Sequence, residues 1–396
     1  MGRRMTARAA DLVDRVLPHV RHRQWVLSVP FWLRWRMAFD HDCTKAVLRI
    51  FLRAVFASYR QRAKRAGLAE GRTGAVTVVQ RFGSALNLNV HFHSLAPDGV
   101  WVEGDDGELT FHPLRGPTDE ELEELAALVE RRVKRLLVER GLWEDDEDGG
   151  VPAAAGELPD LADLYQASVT QRAGSGARRG ERVRRVGVTM ALEPGTLLGA
   201  KARTEGGFDI HAGVTVGAKK RDRLEHIARY LLRPSVANDA LERLPSGDVL
   251  LKIRRPWSDG TSHVRFTPFE LIERLVALVP RPCSNLVLYH GVLAANAKWR
   301  ERIVPEPSEP PCACASEQQH APVRPNHTWA ELMRRGLEID SLECPRACGG
   351  RLRFVATIET PAVIARLLRH LGLPSEPVRL APARGPPNEC QQGLAP

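Results

Sequence analysis

Residues 86–95 read LNLNVHFHSL, with apolar Leu86, Leu88, Val90 and Phe92 alternating with Asn87, Asn89, His91 and His93. That is the period of a half-buried strand, one face apolar and the other polar. Such a strand needs a sheet that buries one face and uses the other for something besides packing. Two amides and two imidazoles in a row are poor core material. Neighbouring segments supply the sheet. "AVTVVQRF" (75–82) predicts a second strand, joined to the first around Gly83-Ser84. Asp98-Gly99 then turns the chain into a hairpin of "VWVEG" and "LTFHP" across Asp105-Asp106-Gly107.

Elsewhere helices punctuate the strands. A short helix is expected at 6–17, a strand at 23–30 closed by Pro30, and a long helix at 43–65. In the long helix Val47, Leu48, Phe51, Val55 and Tyr59 recur on one side, with Arg53, Arg60, Arg62, Lys64 and Arg65 on the other side and last turn. Thr118 and Glu121 form a capping box opening a helix at 119–140. "GFDIHAGVTV" (207–216) predicts a strand and 220–233 a basic helix stopped by Pro234. "DVLLKIRRP" and "SHVRFTP" predict a hairpin, and Thr267 and Glu270 cap a further helix with Pro268 at its first position. Hairpins mixed with helices, without regular strand–helix alternation, predict an α+β fold with a mostly antiparallel sheet flanked by helices.

The chain of 396 residues carries a net charge of +9, unevenly spread. Residues 1–70 hold 15 Arg/Lys against 5 Asp/Glu, whereas 101–163 hold 6 against 19. Two basic blocks separated by an acidic one suit a protein that meets a polyanion, nucleic acid above all, with part of its surface. The bland account is an Arg-rich coding bias. Seven cysteines without a regular framework argue against a disulfide-stapled secreted domain. No apolar run suits a signal peptide or a membrane span, so a soluble, cytoplasmic protein is expected.

On the polar face, His91 and His93 have Cα atoms roughly 6.6 Å apart on one side of a strand. Two imidazoles so placed can converge on a divalent cation with open positions. A solvated strand face, or a pair of satisfied structural histidines, reads the same pattern without chemistry.

A wider comparison sharpens this. "QRFGSALNLNVHFHSLAPDGVW" (80–101) resembles the metal-binding motif of HUH endonucleases. "HRQWVLSVP", "GFDIHAGV", "IARYLLRP", "LVLYHGVLAANAKWR" and "LECPRACGGRLRFVATI", in that order, are similar to rolling-circle transposases of the insertion sequence ninety-one family. The resemblance spans about residues 1–375. It implies a transposase that nicks and rejoins single-stranded DNA at element ends through a 5′-phosphotyrosine. Mg²⁺ or Mn²⁺ would be held by His91, His93 and a third ligand, either Gln80 or His211. It further implies an HUH nuclease domain in two parts, 1–143 and 164–303, interrupted by an acidic linker or loop at 144–163. A Pro-rich linker (304–326), a small C-terminal unit (327–375) and a disordered tail (376–396) would follow. Members of the family begin with a cysteine-rich zinc segment running into a "GRRM"-like sequence, here residues 2–5, so a truncated copy is expected. Zinc at Cys344 and Cys348, with Cys312 and Cys314, is disfavoured by the C-x-x-x-C and C-x-C spacings, and free thiols are expected. An inactive DNA-binding remnant of such a transposase, and an unrelated metal hydrolase using the same histidines, are the competing readings.

The tyrosines decide the nucleophile. There are four: Tyr59, Tyr165, Tyr230 and Tyr289. Tyr59 is assigned to helix packing, Tyr165 follows acidic sequence, and Tyr289 ends an apolar run that suggests burial. Tyr230 lies in "KKRDRLEHIARYLLRP", where Lys219, Lys220, Arg229 and Arg233 are the candidate DNA-phosphate ligands. Its plain alternative is a half-buried tyrosine on a basic amphipathic helix. Two-tyrosine relatives carry a Y-x-x-x-Y pair; His226 holds the first of those places here, which resembles the single-tyrosine branch.

Overall fold

The computed structural model describes residues 2–68, 70–144, 151–152, 161–187, 200–280, 282, 284–305, 328–344, 348–353 and 358–375. Helix α1 (Gly2–Arg15) precedes strand β1 (His22–Ser28). Pro30 then starts α2 (Phe31–Phe39), a helix the sequence reading passed over. Asp40 ends it and caps α3 (His41–Arg65) by accepting a 2.8 Å bond from the Cys43 N–H. Strands β2 (Gly74–Phe82) and β3 (Leu88–Pro97) lead into the hairpin β4 (Gly99–Glu103) and β5 (Leu109–Pro113). Helix α4 (Asp119–Glu139) opens with the expected capping box at Thr118 and Glu121. Part of the expected acidic linker is paired: β6 (Trp143–Glu144) and β7 (Val151–Pro152) form a two-stranded ladder.

After α5 (Ala162–Val169), β8 (Arg184–Gly187), β9 (Lys201–Arg203) and β10 (Asp209–Val216) comes the basic helix α6 (Arg221–Leu231). Short strands β11 (Leu241–Arg243), β12 (Val249–Lys252) and β13 (Thr261–Phe266) precede α7 (Pro268–Leu278), capped by Thr267 and Glu270 as its sequence predicts. Strand β14 (Val287–Gly291), α8 (Arg300–Ile303), α9 (Trp329–Leu337) and α10 (Pro361–His370) complete the order. Two compact units divide at Leu337 and Glu338. Helix α9, placed by sequence in the small C-terminal unit, belongs to the first. Arg335 on α9 binds Asp14 at 2.6 and 3.0 Å and Glu225 at 2.6 and 2.9 Å. The expected tail (376–396) and most of the Pro-rich linker lie outside the described residues.

The fold is α+β. The main sheet runs β14-β2-β3-β1-β10-β9 with every neighbouring pair antiparallel. A smaller antiparallel sheet runs β11-β12-β13-β8. The back of the main sheet gives Trp25, Leu27, Val79, Val90, Phe92 and Ile210 to the larger core, under α2, α3, α4 and α5. On the front, Val76, Val78 and Leu95 pack with Leu12 and Val13 of α1 and Leu224, Ala228 and Leu231 of α6. Both faces of the central strand are therefore covered, the front only over part of its length. Trp32 and Trp35 pack against neighbouring elements: the Trp32 ring lies 4.6 Å from that of Trp143, and the Trp35 indole donates to the Ala162 carbonyl at 3.1 Å. Among the described residues no helix is long and apolar enough to cross a membrane.

Beneath the strands is a buried ion cluster. Asp98, fully buried, accepts from Arg23 at 3.0 and 2.9 Å and lies 3.0 Å from Arg21. Arg23 also donates to the Ala212 carbonyl, joining β1, the β3–β4 turn and β10. Asp98→Ala leaves Arg23 buried without its partner, so a loss of about 3–5 kcal/mol in urea unfolding is expected.

Candidate active site

On the front of β3, Leu95 lies under α1 and α6, and His93, His91 and Asn89 follow toward the uncovered end. The same alternation that buries Val90 and Phe92 behind thus brings the imidazoles to the rim of the front helical layer. The rings of His91 and His93 are 4.8 Å apart, inclined at 68°. Each is held through Nδ1. His91 Nδ1 is 2.8 Å from the Asn89 carbonyl, which can only accept, so Nδ1 carries the proton and Nε2 has a free lone pair. His93 Nδ1 is 2.8 Å from the Gln24 amide nitrogen on β1, which donates to it. Turning that amide over, so that its oxygen faces a protonated Nδ1, would bare His93 Nε2 as in His91. Burial pushes His91 down to about 4 and His93 well below the usual imidazole value. Both are neutral at neutral pH, the state that ligates metals.

Tyr230 stands beside this pair, its ring 6.4 Å from that of His93 at 89°. What holds it there is Gln80. Register places Gln80 opposite His91, and its buried amide donates to the Leu231 carbonyl at 2.7 Å, with the Tyr230 carbonyl at 3.5 Å. These are helix-end carbonyls without partners inside α6. Two guanidiniums lie over the phenol ring, Arg233 at 4.2 Å and Arg254 at 5.9 Å. Tyr230 is 38% exposed, so its hydroxyl is within reach of a polymer substrate.

The donor chemistry suits a divalent cation. Two neutral imidazoles are joined on the same strand face by Asn89, whose Oδ1 is buried without a partner in the described structure. Among the described residues no three His, Cys, Asp or Glu side chains form a ligand cluster. His211 shares the face but lies two strands away, in register with Val26, which is in register with His93. Gln80 is nearer, and its amide nitrogen is committed to α6. Neutral donors of this kind leave positions for water or phosphate oxygens.

The other expected residues divide. Arg233 reaches the site. Lys219 and Lys220 are exposed beyond the far end of α6, about 15 Å from Tyr230 along the helix. Arg229 donates to the Gly336 carbonyl of α9 at 3.0 Å, so it braces α6. Tyr59 is fully buried and accepts a 3.1 Å bond from Trp25, and Tyr165 is buried on α5. Tyr289 is not buried, as its sequence had suggested: at 38% exposure it faces outward from β14, an edge strand. Cys344 and Cys348 are free, and Cys312 and Cys314 lie outside the described residues. Sequence reasoning missed Gln24 and Arg254. A signal for Gln24 existed, a lone amide on the face of β1 that Val26 and Ser28 share. Arg254 gave none, because it arrives from the smaller sheet.

The buried histidines make stability pH-dependent. Burial lowers His22 to about 3 and His91 and His290 to about 4. A folded value below the unfolded 6.5 means that stability is complete above pH 6.5 and falls as the pH drops toward 4. Each such group contributes on the order of 3 kcal/mol to that loss. Urea midpoints between pH 7 and 4 should fall accordingly, and His91→Asn should flatten the slope.

A family model described as Putative transposase matches residues 74–300, which hold β2, β3, α6 and every residue of the histidine–tyrosine cluster except Gln24. Neither the search of curated proteins nor that of solved structures gave a match. The family match covers more than half of the chain, and the chain belongs to this transposase family.

Proposed function

We propose that this transposase nicks and rejoins single-stranded DNA through a tyrosine, in the manner of the single-tyrosine, rolling-circle branch of the insertion sequence ninety-one family. The observation that carries the reading is the juxtaposition of Tyr230 with His93 at 6.4 Å, under two guanidiniums and on a helix end clamped by Gln80. His226, one turn before Tyr230, is exposed and offers no second phenol.

In this mechanism the Tyr230 hydroxyl attacks the scissile phosphorus and the bond to the 3′ oxygen breaks. The phenol proton passes to solvent and the departing 3′ oxygen takes one up. A 5′-phosphotyrosine and a free 3′-OH result, and attack by a 3′-OH reverses the step. Arg233 and Arg254 would hold the non-bridging oxygens as charge accumulates. His91 and His93, with Gln80 or Asn89 supplying an amide oxygen, would hold Mg²⁺ or Mn²⁺, which when bound stabilises negative charge on the phosphate.

A single-stranded oligonucleotide carrying the element end tests this. The parent should form a covalent adduct on a denaturing gel in Mn²⁺, and Tyr230→Phe should form none while still binding DNA. His91→Ala or His93→Ala should slow nicking by on the order of 100-fold or more. An adduct that persists in Tyr230→Phe would pass the nucleophile's role to exposed Tyr289.

A further inference from the structure

Helix α3 presents a line of cations that the nicking site does not use. Arg49, Arg53, Arg60 and Lys64 are all exposed. At 100° per residue they fall within about 60° of one another, along about 22 Å of helix. The opposite side of α3, with Val47, Phe51, Val55 and Tyr59, is buried against the back of the sheet. Asp42 lies on the same side about two turns before Arg49, where it pairs with Lys45, and Glu121 pairs with Arg65, off the line. The four cations themselves make no ion pair among the described residues.

At Arg60 the line borders a pocket of ≈ 340 Å³ whose wall includes Phe56, Arg72, Thr73, Lys298 and Trp299 and no carboxylate. Thr73 is 7% exposed and its hydroxyl has no partner. Arg72 lies over the Trp299 ring at 4.7 Å, so it is held in place and the indole is hidden from any base. The pocket is built from α3, the start of β2 and the "HGVLAANAKWR" segment that begins at the end of β14, a motif that the histidine–tyrosine site leaves idle.

We infer that this surface binds the phosphate backbone of duplex DNA, apart from the strand at Tyr230. Three observations carry it. Cations without an ion pair among the described residues, spaced along one side of a helix, match a regular array of phosphates. A single half-buried ring, Phe56, borders the line and Trp299 lies under Arg72, so the surface lacks the succession of rings that a single-strand groove would need. The line lies behind the sheet and Tyr230 in front of it, and Gly74 is six residues, about 20 Å, from Gln80 along β2. Binding of this kind is independent of sequence and steeply salt-dependent.

The test compares duplex affinity across a salt series for the parent, R53Q/R60Q/K64Q, and R49Q/K298Q. A third variant, R131Q/R135Q/R140Q, removes the same charge as the first from α4 and its C-cap. The first should lose at least tenfold in affinity near 0.1 M salt and about 2.7 in the slope of log K against log salt, the second about 1.8 in slope. The α4 variant should match the parent, and binding of a short single-stranded oligonucleotide should be unchanged in all. Unaltered duplex slopes in the first two variants overturn the inference. Equal losses in the α4 variant overturn it too, since net charge alone then accounts for binding. A parallel loss of single-strand affinity overturns the duplex assignment. Binding is read without nicking, so the result stands whether or not Tyr230 is the nucleophile.

Discussion

A buried amide on one strand holds the end of a helix, and the arrangement of the site depends on that bond. Gln80 donates to the Leu231 carbonyl at 2.7 Å and fixes the last turn of α6 against β2. The other end of α6 is tied by Arg221 to the Leu17 and Pro18 carbonyls after α1. Apolar contacts of Leu224, Ala228 and Leu231 seat the helix but leave its axial position loose, because burial is non-directional. Directed bonds at both ends remove that freedom. Tyr230 therefore stands beside His93 without a hydrogen bond between their side chains.

Cations dominate the electrostatic surroundings, and Asp209, which shares the sheet face, is paired with Lys201. Arg233 and Arg254 lie over the phenol, and Arg34 and Arg233 act on His91. The acid-rich part of the chain is spent elsewhere: Glu121 caps α4 and pairs with Arg65 and Arg115. Glu270 and Glu273, though buried, serve Arg178, Ser175 and the Gly174 N–H behind α7. A transposase handles a substrate with a negative charge at every phosphate, and this partition keeps carboxylates from competing with it.

Much of the fold was legible. The alternation in β3, the capping boxes at Thr118 and Thr267, and the stop at Pro234 are local signals, and local backbone preferences obey them. Helix α2 escaped because "FWLRWRMAF" has apolar residues almost all round; both sides of it are in fact used, Leu33 and Met37 inward and Trp32 and Trp35 against neighbouring elements. Tyr289 was misjudged for the converse reason. An apolar run predicts burial only when both faces of its strand are covered, and β14 lies at the sheet edge. Helix α9 was assigned by chain position, whereas Arg335 ties it to Asp14 and Glu225, more than a hundred residues away.

By itself the sequence determined the ingredients of the site: two imidazoles on one strand face and a tyrosine on a basic helix. It also determined that the chain is α+β, since periodicity and turn chemistry act within a few residues. Only the tertiary structure decided which cations meet the tyrosine, choosing Arg233 and Arg254 over Lys219, Lys220 and Arg229. Only the tertiary structure gave Gln80 to α6 and Gln24 to His93. Those pairings join residues as many as 151 positions apart, and local preference carries no information across such a separation. Strand register and helix packing set them instead.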